Sequence, residues 1–160
     1  CRTVGIKRRE ARKPEGVDDL FTLERLEQQL PKADIVALCL PGYEGTYHML
    51  NEERIAMLKE NAVVLNVGRG MTVDTEALTK ALREGRIAGA CLDVTDPEPL
   101  PSEHPLWDMD NVILTPHVSG RFSLPETLEK ILNICIENLE CYLVKRPLRN
   151  VIDRKTGYRM

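Results

Sequence analysis

Four short runs constrain this chain more than anything else in it: DIVALCL at 34–40, AVVLNV at 62–67, AGACLDV at 88–94 and NVIL at 111–114. Each is apolar without interruption and bounded by turn-forming or charged residues. A strand with one wet face alternates apolar and polar residues; a strand buried on both faces does not, so these runs predict a parallel sheet. TVGI at 3–6 is a weaker fifth candidate. Between the runs lie helical patterns: Leu23 to Leu30 after Thr22, Glu52 to Lys59 after Asn51, and Glu76 to Glu84 after Asp74, stopped by Gly85. Strand and helix alternate, which predicts an α/β doubly wound parallel sheet covered by helices. A longer helix is expected to close the chain. Ser123 is its N-cap with Glu126 three residues on, and Leu128, Ile131, Leu132, Cys135, Leu139 and Tyr142 follow at helical spacing.

At 160 residues the chain has material for one domain with a substantial core. A net charge of −3 supplies no positive field, so nucleic acid is not expected as a partner. The apolar runs are too short to cross a bilayer and no basic-then-apolar leader opens the chain, so a soluble protein is expected. Cys1, Cys39, Cys91, Cys135 and Cys141 are odd in number, contain no CxxC and sit mostly in apolar segments. They are expected to be reduced and buried, in a cytoplasm. His48, His104 and His117 have no metal-ligand spacing with them, and no metal is expected.

In an open parallel sheet ligands bind outside the carboxyl ends of the strands. Here those ends carry Pro41-Gly42-Tyr43-Glu44-Gly45-Thr46, then Gly68-Arg69-Gly70, then Asp93 and Glu98, then His117. Pro116 restricts the backbone before His117, and Gly120 allows close backbone approach, which suits an imidazole held at the crevice as acid or base. Glycines on both sides clear space around Arg69, whose planar fork matches a carboxylate. Glu98 is positioned to orient His117 and stabilise its imidazolium. The bland readings are an edge histidine, a solvated arginine and a loop carboxylate.

The strings LNVGRGMTVDTEALTKALREGRIAGACLDVTDPEPLP and PLWDMDNVILTPHVSG resemble the nucleotide-binding domain of the D-isomer-specific 2-hydroxyacid dehydrogenases, over about residues 3–158. The resemblance implies a Rossmann-like NAD(P)-binding fold and transfer of a hydride between NAD(P)H and a 2-keto or 2-hydroxy acid. It implies that Arg69 contacts the substrate carboxylate and carbonyl, that Glu98 partners the catalytic histidine, and that His117 is the proton donor or acceptor. Asp93 would meet the carboxamide side of the nicotinamide. Pro41 and Thr46 would line the adenosine and phosphate region, Val67, Gly68 and Gly120 would shape the nicotinamide pocket, and Leu40, Arg69 and His117 would also bind the cofactor. The loop at 42–45 departs from the threonine-proline wording usual in the family. A homodimer is also implied, with residues 1–123 as the nucleotide-binding domain and 124–160 as a helix and tail returning toward a substrate-binding domain.

No G-x-G-x-x-G string occurs in the chain, so the sequence is expected to begin at the second strand of the fold, leaving inner sheet edges unpaired and the isolated piece inactive. If TVGI is that second strand, Lys7 stands where an NAD enzyme places an acid for the ribose 2′-hydroxyl, and Arg8 and Arg9 follow it. This favours NADP, whose 2′-phosphate accepts charge-assisted hydrogen bonds from guanidinium groups. A solvated basic turn that still tolerates NAD is the alternative. A nicotinamide-sensing, corepressor-like binding module is the rival function, and a purely structural α/β domain a third reading.

Overall fold

Parallel pairing is what the unbroken apolar runs demand, and the computed structural model, which describes residues 1–120 and 124–154, contains no other kind of strand ladder among them. β1 (Val4–Lys7) pairs with β2 (Asp19–Thr22), while β3 (Ile35–Leu38), β4 (Val63–Asn66), β5 (Gly89–Leu92) and β6 (Val112–Leu114) form a second sheet in that order. Among the described residues the strands thus form two separate sheets, and β1 and β3 each carry a ladder on one side only. The four-residue β2 went unread in the sequence. DLFT is too short to show a period, and only its register with β1 identifies it.

Register places Val36, Val64, Ala90 and Val112 in one row and Leu38, Asn66, Leu92 and Leu114 in the next, all on one face. That face packs on Leu30, Ile55, Leu78, Ala81, Leu82, Ile87 and Leu106, which together form the core. α3 (Thr75–Arg83) supplies three of those residues. It starts where the Asp74 carboxylate accepts from the Ala77 N–H and stops before Gly85, whose φ of 65° suits a residue without a Cβ. α2 (Glu52–Ala56), capped by Asn51, is shorter than the run to Lys59. The helix expected over 23–30 is broken: α1 (Leu26–Gln29) lies between two 3-10 turns, and Pro31 cannot donate the next helical bond.

The opposite face of the sheet, bearing Ile35, Ala37, Leu65, Cys91 and Ile113, is open; Ile35 is 62% and Ile113 61% exposed. α4 (Pro125–Leu143) buries none of its residues and leaves Leu128, Leu132, Ile136 and Leu139 in solvent. Described helices therefore cover one face, where two covered faces were expected. The cysteines follow suit: all five are free, but none is buried, because Cys91 lies on the open face and Cys135 and Cys141 on α4. The Ser123 cap, the 123/124 boundary and residues 155–160 lie outside the described residues. No described helix is long and apolar enough to cross a membrane.

Candidate active site

Glycines bring the strand-end loops together. A Cβ on Gly68 would lie 2.5 Å from the Leu40 carbonyl oxygen, and one on Gly70 would overlap the carbonyl of Thr95. The loop after β4 thus touches backbone after β3 on one side and after β5 on the other. Arg69, between these contacts, is held by its main chain. The Asn66 amide, 1% exposed, donates to the Arg69 carbonyl at 3.0 Å and accepts from the Gly68 N–H at 3.1 Å, and the Thr72 hydroxyl donates to the same carbonyl at 2.7 Å. The Arg69 side chain is exposed, with Nη1 donating to the Gly68 carbonyl at 2.7 Å.

His117 has φ 52°, a left-handed conformation that histidine adopts more readily than most residues. The turn aims successive N–H groups at Asp93. The His117 N–H donates to the Asp93 carbonyl at 3.0 Å, while the N–H groups of Val118 and Ser119 donate to the two carboxylate oxygens, each at 2.9 Å. The Thr115 hydroxyl completes the clamp. Burial by itself would raise the Asp93 pKa, but hydrogen bonds from the Ser119 and Thr115 hydroxyls and the two N–H groups outweigh it and hold the carboxyl far below the usual carboxylate range. A fixed anion at the end of β5 therefore sets the course of the histidine loop. Across the gap, Glu98 Oε1 lies 2.7 Å from His117 Nδ1. An ionised carboxylate only accepts, so Nδ1 donates and Nε2 is left for chemistry.

The remaining expected site residues divide. Leu40 and Pro41 are half-buried after β3, and Val67 is exposed after β4. Thr46 is 1% exposed; its hydroxyl donates to the Pro41 carbonyl at 2.7 Å and accepts from the Tyr43 N–H at 3.1 Å, so it braces the 41–46 loop. Gly120 has open space where a Cβ would stand among the described residues. The left-handed turn falls on His117 itself. β1 runs one residue further than expected, so Lys7 ends the strand and Arg8 is the first residue past it. Arg9 lines a cavity of about 370 Å³ outside the carboxyl ends of β1 and β2.

Sequence reasoning missed Asn66, Thr72, Thr115 and Ser119, the polar side chains that brace these loops. Asn66 had one readable signal, a lone amide inside an apolar strand.

The profile described as "D-isomer specific 2-hydroxyacid dehydrogenase, NAD binding domain" matches residues 1–119. A glyoxylate reductase of Thermococcus onnurineus is 43% identical over 154 residues, covering 92% of this chain and 45% of that protein. The glyoxylate reductase of Thermofilum pendens is 46% identical over 114 residues, 71% of this chain and 33% of its own length. A crystal structure of a D-isomer specific 2-hydroxyacid dehydrogenase from Xanthobacter autotrophicus Py2, in complex with NADPH and MES, superposes with a TM-score of 0.86 at 39% identity, covering 97% of this chain and 62% of that one. An NADPH-dependent glyoxylate/hydroxypyruvate reductase from Sinorhizobium meliloti, in complex with NADP and sulfate, gives 0.84 at 29% identity, with 97% and 49% covered. The chain spans between a third and a half of the length of these curated relatives. With the parallel sheet, the Asp93 clamp and the Glu98–His117 pair, the match over residues 1–119 establishes that this chain belongs to the D-isomer specific 2-hydroxyacid dehydrogenase family, as its NAD-binding domain.

Proposed function

We propose that the protein to which this chain belongs reduces a 2-keto acid to the D-2-hydroxy acid, and runs the reverse reaction, with NADP preferred over NAD. The observation that carries the reading is the 2.7 Å contact of Glu98 Oε1 with His117 Nδ1 at the carboxyl end of the sheet. A pure binding module has no use for a histidine whose Nδ1 is tied to a carboxylate while its ring remains 42% exposed.

When bound, the dinucleotide supplies a hydride to C2 of the substrate. His117 delivers the Nε2 proton to the oxygen that becomes the hydroxyl, and Glu98 holds the ring so that Nε2 faces the substrate. Arg69 engages the substrate carboxylate through parallel N–H donors and adds positive charge beside the developing alkoxide. Asp93 keeps the histidine loop in its left-handed course. In the reverse direction His117 accepts the hydroxyl proton. Leu40, Pro41, Val67 and Gly68 form the backbone floor for the cofactor, and Lys7, Arg8 and Arg9 the basic end that takes a 2′-phosphate.

Residues 124–160 act apart from the nucleotide-binding body, supported by an α4 that buries none of its residues. A homodimer and a cytoplasmic location complete the reading, the latter supported by five free cysteines. Steady-state turnover of a panel of 2-keto acids by the full-length protein, with NADPH and NADH at equal concentration, tests it. Turnover with a higher specificity constant for NADPH is expected, and absence of turnover with every acid would overturn it.

A further inference from the structure

The cavity outside the ends of β1 and β2 has two arginines on its walls, from segments far apart in sequence. Arg9 comes from the loop after β1, and Arg25 from the 3-10 turn after β2; Glu10, Ala11, Leu20, Phe21 and Thr22 complete the lining. We propose that Arg25 is the second jaw of a phosphate clamp, closing with Arg9 on the 2′-phosphate of the cofactor's adenosine and so determining cofactor choice. This rests on the NADP reading above and adds to it a residue that no motif marks.

Parallel pairing of β1 with β2 makes the two strands end side by side, Lys7 opposite Thr22, so that whatever follows each strand faces the same space. Ligands of an open parallel sheet bind in that space. The Arg9 guanidinium has no hydrogen bond or ion pair with any described residue. Arg25 is held: its Nη1 donates to Gln28 Oε1 at 2.7 Å, one α-helical turn on, leaving its other donors unassigned among the described residues. One tethered and one free guanidinium across a cavity of about 370 Å³ leave room for a phosphorylated sugar between them. Glu10 reduces the net charge of the wall from two positive to one, which disfavours small free anions and favours a ligand whose sugar hydroxyls give the carboxylate something to accept. The apolar side chains of Ala11, Leu20 and Phe21 suit the carbon face of such a sugar or the edge of its base.

The test is calorimetric binding of 2′,5′-ADP and of 5′-AMP to the full-length protein and its variants, independent of turnover. The wild type is expected to prefer 2′,5′-ADP. Arg25→Gln should weaken 2′,5′-ADP by about tenfold or more while leaving 5′-AMP unchanged, as one charge-assisted phosphate contact is worth. Arg25→Lys, which keeps the charge but not the fork, should fall between the two. Gln28→Ala, which frees the Arg25 guanidinium, should cost a smaller factor in the same direction. If Arg9→Gln weakens 2′,5′-ADP and Arg25→Gln does not, the clamp is overturned while the NADP reading stands. Equal wild-type affinity for the two probes overturns both. Equal weakening of both probes by Arg25→Gln also overturns the clamp, because it shows an effect unrelated to the 2′-phosphate.

Discussion

Glu98 Oε1 and His117 Nδ1 are 2.7 Å apart, yet the two side chains are 41% and 42% exposed. An ion pair that open to water contributes at most about 1 kcal/mol to stability, so folding alone does not account for its geometry.

His117→Ala in the full-length protein is therefore expected to lower turnover by roughly 10²–10⁴-fold, the usual worth of positioned acid catalysis, with cofactor affinity within a few-fold and the melting temperature nearly unchanged. Glu98→Gln should lower turnover by a smaller factor. The double variant should be no worse than His117→Ala alone, because a partner that acts through the ring has no effect once the ring is gone. Strictly additive losses would separate the two residues mechanistically.

Arg69→Lys keeps a positive charge and removes the two-pronged geometry. Both a rise in the Michaelis constant for the keto acid and a fall in turnover are expected, of about tenfold or more in the specificity constant. A change confined to cofactor affinity would contradict the carboxylate role.

Gly70→Ala places a methyl group inside the carbonyl of Thr95. The loop bearing Arg69 must then move off the segment that leads to Glu98. A loss of stability of about 2 kcal/mol or more is expected, together with a drop in turnover out of proportion to any fraction unfolded. Urea unfolding and kinetics on the same preparation measure the two effects, and an unaltered enzyme would show that the loops are not in contact in solution.

Asp93→Asn is expected to destabilise the protein by roughly 2–4 kcal/mol at neutral pH, because an amide puts a donor where the backbone N–H groups of Val118 and Ser119 both need an acceptor. The pH dependence follows from the lowered Asp93 pKa. A carboxyl whose folded pKa lies below its unfolded value contributes stability that is complete above the unfolded value, near 3.9, and is lost as pH falls toward the folded one. The gap between wild type and variant should thus be constant from pH 5 to 7 and narrow by about 1.4 kcal/mol per unit below about pH 4. Urea titrations at pH 7 and pH 3 check this, and a gap equal at both would contradict the clamp.

Arg69, Glu98 and His117 were legible because each follows directly on a strand or its loop, and the strands announced themselves by unbroken apolarity. The Asp74 cap and the Gly85 stop were legible for a similar reason: both are local chemistry, settled within four residues of chain. What the sequence could not carry is everything that depends on two segments meeting. Gly70 is needed because Thr95 lies against it, Gly68 because of Leu40, and neither neighbour is marked by any pattern. The bracing of the 41–46 loop by the buried Thr46 hydroxyl depends on the loop folding back over it. That the Asp93 carboxylate gathers four donors from the histidine loop is likewise decided only by the turn at His117. The left-handed residue of the histidine loop is His117, a choice made by convergence of backbone N–H groups on one buried anion. Periodicity and capping act along the chain and can be read there; loop contact, burial of a polar group and backbone handedness are decided across the chain, where only the folded arrangement of the strand ends determines which groups face each other.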